Sequence, residues 1–219
     1  MRPAADLPLR PVVPDELLAS QIGALTHDIR LIDEHLDGLE LIDQRARGVS
    51  IAHSRLDGVN LAGSRLEALD LSHAEVVHTN LANVEAPGAR VSSVTLDGCR
   101  MTGARLSDAT LRDVTLRGCR VDLASFAASR LTRVVFEDCL LTQSDFLESQ
   151  LECVRFDDCD LSLADLRGAR MTRCEFRRCT FDEVQGAECL RGAAMPWTDI
   201  IALAGVWASA LGIEALEDG

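Results

Sequence analysis

A five-residue period is the feature of this chain that most restricts its fold. Counting every fifth residue over 31–181 gives 31 positions, of which 29 are Leu, Ile, Val, Met or Phe and two are Ala46 and Ala86. The positions two residues earlier, over 49–179, are Ala, Ser, Thr, Cys or Val apart from Leu69. Two residues in every five are therefore predicted to point inward, one large and one small.

This period fits neither a helix nor a flat strand, because a helix repeats its buried face every 3.6 residues and a strand every 2. The chain must instead turn a corner every five residues. Four corners close a coil of 20 residues, and each coil stacks on the next with strand-like hydrogen bonds. Large residues fill the axis, where we expect a ladder of the rings of Phe136, Phe156 and Phe176.

The repeat resembles the consensus of the pentapeptide repeat family, which is a small residue, Asp or Asn, Leu or Phe, a polar residue and Gly. ADLRG at 164–168 and VNLAG at 59–63 match it. The resemblance implies an all-β solenoid, a right-handed quadrilateral parallel β-helix, over residues 31–186. About eight coils at about 4.8 Å per coil give a rod about 37 Å long, with no loop interrupting it.

The two ends depart from the repeat. Residues 1–30 are predicted to form an N-terminal arm, with four Pro among the first 14 residues and a short capping helix over 15–25. Glu34, Leu39 and Gln44 stand where small residues belong, so we expect an irregular first coil. Residues 187–219 are predicted to hold one helix of about 13 residues, with Thr198 as its N-cap and a stop at Gly212.

The C-terminal helix is apolar nearly all round, which favours burial on two sides. One side closes the end of the rod, and the other suggests a homodimer. Many bacterial members of the family that the chain resembles end in a helix finishing near Leu-Gly-Ile and dimerise through it, and residues 211–213 match that ending. A cap within one chain is the alternative. The expected interface consists of Trp197, Ile200, Ile201, Leu203, Trp207 and Leu211.

Composition excludes several function classes. The net charge is -13, all 22 basic residues are Arg, and the chain has no Lys or Tyr. Direct nucleic-acid binding is disfavoured, and lysine Schiff-base and P-loop chemistry are excluded. The N-terminus lacks a signal peptide and no run of 18 apolar residues occurs, so we expect a cytoplasmic protein without a membrane partner. No nucleophile–base motif stands out, and we predict no catalytic residue and no cofactor.

The cysteine and histidine spacings indicate packing and not a metal site. Five cysteines at 20-residue intervals over 99–179 are predicted to stack as free, buried thiols at one inward corner. Cys153 lies at an outward position and is expected to be the reactive thiol. His53 and His73 should stack, but with Asp33 they make a poor ligand set, so we predict no bound metal.

The outward columns contain the candidate functional residues. Five of the eight residues at every twentieth position over 37–177 are acidic. The acidic edge that we expect to bind a partner comprises Asp57, Asp97, Glu137, Asp138, Asp157, Asp158 and Asp160.

Such an edge imitates the charge of a nucleic-acid duplex. The resemblance to gyrase-protecting, quinolone-resistance members of the family implies a non-enzymatic protein that binds DNA gyrase. An acidic face that only keeps the rod soluble is the plainer interpretation. A general protein-interaction scaffold is the alternative function, with a surface patch of the outward leucines Leu123, Leu140, Leu147 and Leu163.

Overall fold

A computed structural model describes residues 6–214 as a parallel β-helix of about eight coils followed by short helices. The predicted fold is confirmed. The strands, in chain order, are β1 (Leu18–Ala19), β2 (Arg30–Ile32), β3 (Glu34–Asp37), β4 (Arg45–Arg47), β5 (Ser50–Ala52), β6 (Arg55–Asp57), β7 (Arg65–Glu67), β8 (Asp70–Val77), β9 (Arg90–Asp97), β10 (Thr110–Arg117), β11 (Arg130–Glu137), β12 (Gln150–Glu152), β13 (Arg155–Asp157), β14 (Arg170–Thr172) and β15 (Glu175–Arg177).

Each coil has four faces, which we name A to D after the central residues of the first coil, Leu31, Leu36, Leu41 and Ala46. The coils pair in parallel with a constant 20-residue offset, as where Leu116 on face B lies opposite residues 96 and 136. Faces A and B form one continuous sheet, and face D has the small sheet β4–β7. Elsewhere on faces C and D, each coil is joined to the next by single-residue bridges. The offset never changes, so no loop interrupts the rod.

Every corner of the coils is made by one residue in the left-handed region. The residue two places after each central residue has φ between 47° and 71°, at all corners from Asp28 to Glu183. Glycine adopts this conformation freely, whereas a residue with a Cβ is strained there by about 1–2 kcal/mol. This explains why Gly98 and its equivalents recur two places after the large residue, and why Asp is frequent at the remaining corners.

Aromatic rings fill the axis of the C-terminal half. Phe156 is stacked between Phe136 at 4.9 Å and Phe176 at 4.7 Å, with interplanar angles of 2° and 1°, which confirms the predicted ladder. A second stack, Phe126 on Phe146 at 5.1 Å, lies beside it. Towards the N-terminus smaller aliphatic side chains take over, and an axial cavity of about 80 Å³ is lined by apolar atoms alone.

The cysteine column packs as predicted. Four of its five members are buried and Cys179 is half-buried, and all eight cysteines of the chain are free. Each thiol of the column donates to backbone carbonyl oxygens, as Cys119 does to those of Leu96 and Arg117 at 3.5 and 3.3 Å. Outside the column, burial raises the pKa of Cys174 to about 11. These thiols act as small core residues.

The first coil is regular, so the expectation of irregularity is wrong. All four of its faces pair with the second coil at the usual offset. Large residues are tolerated because only an incomplete turn, residues 18–29, lies beneath them. The Gln44 side chain accepts the N–H of Leu25 at 2.9 Å, and the backbone N–H of Glu34 donates to the hydroxyl of Ser54 at 3.1 Å.

The capping helix predicted over 15–25 is also wrong, because this segment is extended. Its strand β1 pairs in parallel with β3, and Leu18 and Ser20 donate N–H bonds to Asp33 and His35 at 2.9 and 2.8 Å. An open edge of face B would otherwise expose unpaired backbone groups. Covering that edge satisfies more hydrogen bonds than a helix placed above it would.

The C-terminal segment forms two short helices where one was predicted. A 3₁₀ turn (Ala187–Leu190) precedes α1 (Trp197–Ala202) and α2 (Ala204–Ala210), and the break at Leu203 lets that side chain pack into the core. Pro196 occupies the N-cap, so the assignment of Thr198 there is wrong. The Asp199 carboxylate accepts the Arg178 N–H at 2.6 Å and ties α1 to the last coil. No helix within residues 6–214 is long and apolar enough to cross a membrane.

Candidate interaction surfaces

The predicted acidic residues lie together on one corner of the rod. Faces B and C meet there, and the register places Asp57, Asp97, Glu137 and Asp157 in one column. Asp138, Asp158 and Asp160 belong to the two neighbouring columns. We call this set of seven the acidic corner. From residue 57 to residue 157 it extends over five coil spacings, or about 24 Å.

Arginines neutralise the C-terminal part of the acidic corner. Glu137 accepts a bond from Arg117 at 2.9 Å, and Arg178 bonds both Asp157 and Asp158, the latter at 2.6 Å. The Arg178 hydrogen bond holds the pKa of Asp158 below its ordinary value. Because these three carboxylates are already paired, they contribute less charge to a partner than the sequence suggests.

The remaining carboxylates keep their charge facing solvent. Asp97 and Asp138 are exposed and have no ion pair among the described residues. Asp57 has only the imidazole of His78, at 4.0 Å. Asp160 accepts hydrogen bonds from the backbone and hydroxyl of Ser162 at 2.9 and 2.6 Å.

Charge is nevertheless segregated around the rod. We compare the outward positions of the eight coils face by face. Face A and its following corner carry seven arginines and four carboxylates. Face B and its following corner carry five arginines and nine carboxylates. Face C and its corner carry two arginines and six carboxylates. The negative potential therefore lies on two adjacent faces that meet at the acidic corner, and face A is net positive.

The residues predicted for a dimer interface divide into two groups. Trp197, Ile201 and Leu211 expose 72%, 60% and 75% of their surface, and Ile200 is half-buried. Leu203 is buried against the end of the β-helix, and Trp207 is half-buried against the same core. Including Leu203 in an interface is therefore wrong, since it serves as an internal cap.

The four outward leucines do not form one flat patch. Leu123 and Leu163 lie on the corner between faces C and D, two coils apart, and are 53% and 41% exposed. Leu147 lies on face D, and Leu140 is half-buried on face C. Leu123 combines an exposed apolar side chain with a left-handed φ of 59°. Neither property stabilises the rod, so this residue is a candidate for a binding role.

Replacing Leu123 by Gly is expected to raise the free energy of unfolding by about 0.5–1 kcal/mol, because the relief of backbone strain exceeds the added freedom of the unfolded chain. Denaturant titration measures the change. Leu123→Ala is the matched control, since it removes the side chain but keeps the Cβ and its strain. Equal stability of the two variants would show that the corner is not strained.

The corner between faces A and B carries a site that sequence reasoning missed. Asp113 is almost fully buried there, bonds Arg133 through both oxygens at 2.6 and 2.7 Å and accepts the N–H of Leu9 at 3.1 Å. The hydrogen bond from Arg133, ahead of that from Leu9, holds the pKa of Asp113 below its ordinary value. The signal that could have found the site is Pro at positions 8, 11 and 14, a spacing typical of an extended segment.

The same corner changes the interpretation of Cys153 and the histidines. Cys153 is 2% exposed and its thiol is buried, so its assignment as an outward, reactive thiol is wrong. The rings of His53 and His73 stack as predicted, at 4.9 Å. Their Nδ1 atoms bond the backbone of Val12. Within residues 6–214 no group of three His, Cys, Asp or Glu side chains has the arrangement of a metal site.

Family models match the C-terminal half of the rod. One, described as a pentapeptide repeat region, matches residues 89–166, and another, described as eight copies of pentapeptide repeats, matches residues 159–185. The chain is therefore similar to the pentapeptide repeat family over residues 89–185. The pentapeptide repeats of the first three coils continue the same 20-residue register without a break. No curated protein sequence matches the chain with significance.

Several solved structures are similar to this chain. A trypsin-treated variant of QnrB1, a plasmid-mediated fluoroquinolone resistance protein, is 14% identical over 87% of this chain and 99% of its own, with a TM-score of 0.47. HetL, a pentapeptide repeat protein involved in heterocyst differentiation regulation from the cyanobacterium Nostoc sp. strain PCC 7120, is 17% identical over 78% and 91%, with a TM-score of 0.38. Rfr23 from the cyanobacterium Cyanothece 51142 is 17% identical over 55% and 92%, with a TM-score of 0.40.

Proposed function

We propose that the chain is a non-enzymatic interaction module whose acidic corner imitates DNA and binds the basic DNA-contacting surface of gyrase or a related type II topoisomerase. The observation that carries the proposal is the segregation of charge onto faces B and C, with a net positive face A opposite face C. A dispersed charge of -13 would serve solubility equally well. A one-sided charge on a straight, loop-free rod favours docking in a long basic groove.

The carboxylates without an arginine partner supply most of the negative charge that this surface can present to a partner. Asp57 and Asp97 of the acidic corner share their column with Asp37, which lies one coil below Asp57. Asp138 lies beside this column without an ion-pair partner among the described residues. Charges on a surface mainly steer the encounter and set its rate, and salt weakens them. The proposed complex should therefore form more slowly and bind more weakly as ionic strength rises.

The decisive experiment neutralises the unpaired carboxylates. In a gyrase supercoiling assay the wild-type chain is expected to inhibit, and the variant with Asp37, Asp57, Asp97 and Asp138 changed to Asn should lose most of that inhibition. Asn tolerates the corner conformation of residue 138, so folding is preserved. The matched control carries the same charge change off faces B and C, as Asp33→Asn, Asp108→Asn, Asp145→Asn and Glu148→Gln, and should inhibit like the wild type.

Two outcomes contradict the proposal. Equal inhibition by the wild type and the Asn variant at all salt concentrations would remove the acidic corner from the interaction. If the wild-type chain does not change supercoiling, with or without a gyrase poison, gyrase is excluded as its partner. The alternative function, a general scaffold, is favoured by the exposed, strained Leu123. It predicts a protein partner whose binding is lost in Leu123→Gly and kept in the Asn variant.

The proposed module is a homodimer joined through α1 and α2. Trp197, Ile201 and Leu211 expose large apolar side chains that the fold of one chain leaves uncovered. Changing Ile201 and Leu211 to Asp is expected to convert a dimer into a monomer in sedimentation velocity, without disturbing the internal cap at Leu203. Leu18→Asp is the control, because Leu18 is 72% exposed at the far end of the rod. A monomeric wild type would exclude the dimer.

A further inference from the structure

The N-terminal arm, residues 6–14, runs along the corner between faces A and B against the direction of coil stacking. Asp6 lies 3.7 Å from Arg173 on the last coil. Leu9 donates its N–H to Asp113 at 3.1 Å, three coils lower. Val12 donates its N–H to Nδ1 of His73 at 3.4 Å, and its carbonyl oxygen accepts a bond from Nδ1 of His53 at 2.8 Å. The arm thus crosses most of the rod within a few residues.

Between Leu9 and Val12 the rise of the arm matches the spacing of the coils. Leu9 and Val12 are three residues apart, and the side chains that accept their backbone N–H groups, those of Asp113 and His73, are 40 residues or two coils apart. One three-residue turn of an extended proline-rich segment rises about 9.3 Å, and two coil spacings measure about 9.6 Å. Pro at positions 8, 11 and 14 has the same three-residue spacing and fixes φ for that conformation.

The corner is buried where the arm crosses it, although the arm itself is held mainly by polar contacts. Asp113 and Cys153 are 3% and 2% exposed, whereas Leu123 at an equivalent place on another corner is 53% exposed. Leu7 and Val12 of the arm remain 62% and 64% exposed. Because the arm buries little apolar surface of its own, it should open locally at a lower free-energy cost than the coils.

We propose that the corner column between faces A and B is a binding track for extended peptide segments with proline at every third residue, and that the arm occupies this track in cis. The track recognises backbone N–H groups through Asp113 and His73, a backbone carbonyl through His53, and a leading carboxylate through Arg173. A partner segment of this chemistry binds when it displaces the arm, which is tethered at an effective concentration in the millimolar range.

The test uses the full chain and a fluorescent peptide of residues 6–16, DLPLRPVVPDE. The arm variant carries Asp6→Asn with Pro8, Pro11 and Pro14 changed to Gly, all outside the coils. Fluorescence anisotropy should show the peptide binding the arm variant about tenfold or more tightly than the wild type, whose track is occupied. A control peptide of identical composition, with its prolines moved out of the three-residue spacing, should bind about tenfold more weakly.

Alkylation of Cys153, followed by mass spectrometry, reports arm opening directly. Its rate should rise about tenfold in the arm variant, since labelling follows the population of the open form. Cys139 and Cys159 in the core should stay unreactive and show that the coils are intact. Adding Asp113→Asn to the arm variant should weaken peptide binding again. An unreactive Cys153 in the arm variant, or equal binding of the two peptides, would overturn the proposal.

Discussion

Replacing Phe156 by Ala is expected to lower the free energy of unfolding by about 3–5 kcal/mol. The ring is fully buried between Phe136 and Phe176 and also meets the edge of Phe146 at 6.0 Å. Two costs add up: the lost transfer free energy of the ring and the free energy of the cavity that it leaves. The cavity persists because the coils above and below are fixed by their hydrogen-bond ladders and cannot collapse into it. Such a loss is a large part of the stability of an ordinary domain.

Denaturant titration of Phe156→Ala measures this loss. Leu147→Ala is the control, because the side chain of residue 147 lies on the surface and its truncation should change stability by less than about 0.5 kcal/mol. A loss below about 1 kcal/mol for Phe156→Ala would mean that the stacked rings do not bear on the stability of the rod. It would also mean that the rings filling the C-terminal half of the axis add little stability over the aliphatic, cavity-bearing N-terminal half.

The repeat made the coils predictable from sequence, whereas the ends were not. Every coil meets a neighbour of the same shape, so the pattern around Phe136 alone specifies both its depth and its ladder partners. Glu34 and Gln44 break the pattern without breaking the coil, because only an incomplete turn lies beneath the first coil. Residues 15–25 have helical propensity, but the open edge of face B offers backbone hydrogen bonds that a helix would leave unmade.

The candidate surfaces were likewise predictable from the sequence only in part. The 20-residue register predicted that Asp57 and Asp97 share a column, and the structure places them so. It did not predict that Arg178 reaches across to a neighbouring column, because side-chain pairing depends on rotamers and not on period. The contact of Leu9 with Asp113 joins residues 104 apart in sequence, and the five-residue period does not extend to Leu9, so that period could not predict the contact.

Removing the Asp113 carboxylate tests the ion pair beneath the arm. Asp113→Ala leaves the partly buried Arg133 without its bidentate partner and Leu9 without its acceptor, so a loss of about 2–3 kcal/mol in unfolding free energy is expected. Asp138→Ala, an exposed carboxylate without an ion pair among the described residues, is the control and should change stability by less than about 0.5 kcal/mol.

The cost of Asp113→Ala should also depend on pH. Because Arg133 lowers the pKa of Asp113 in the folded chain, the carboxylate's contribution is fully present above the ordinary range near pH 4 and is lost as the pH falls through the lowered pKa. Denaturant titrations of both proteins at pH 7 and at successively lower pH should therefore converge in acid. A difference that stays constant down to about pH 2 would show that the side chain acts through packing alone, and that its charge does not hold the corner together.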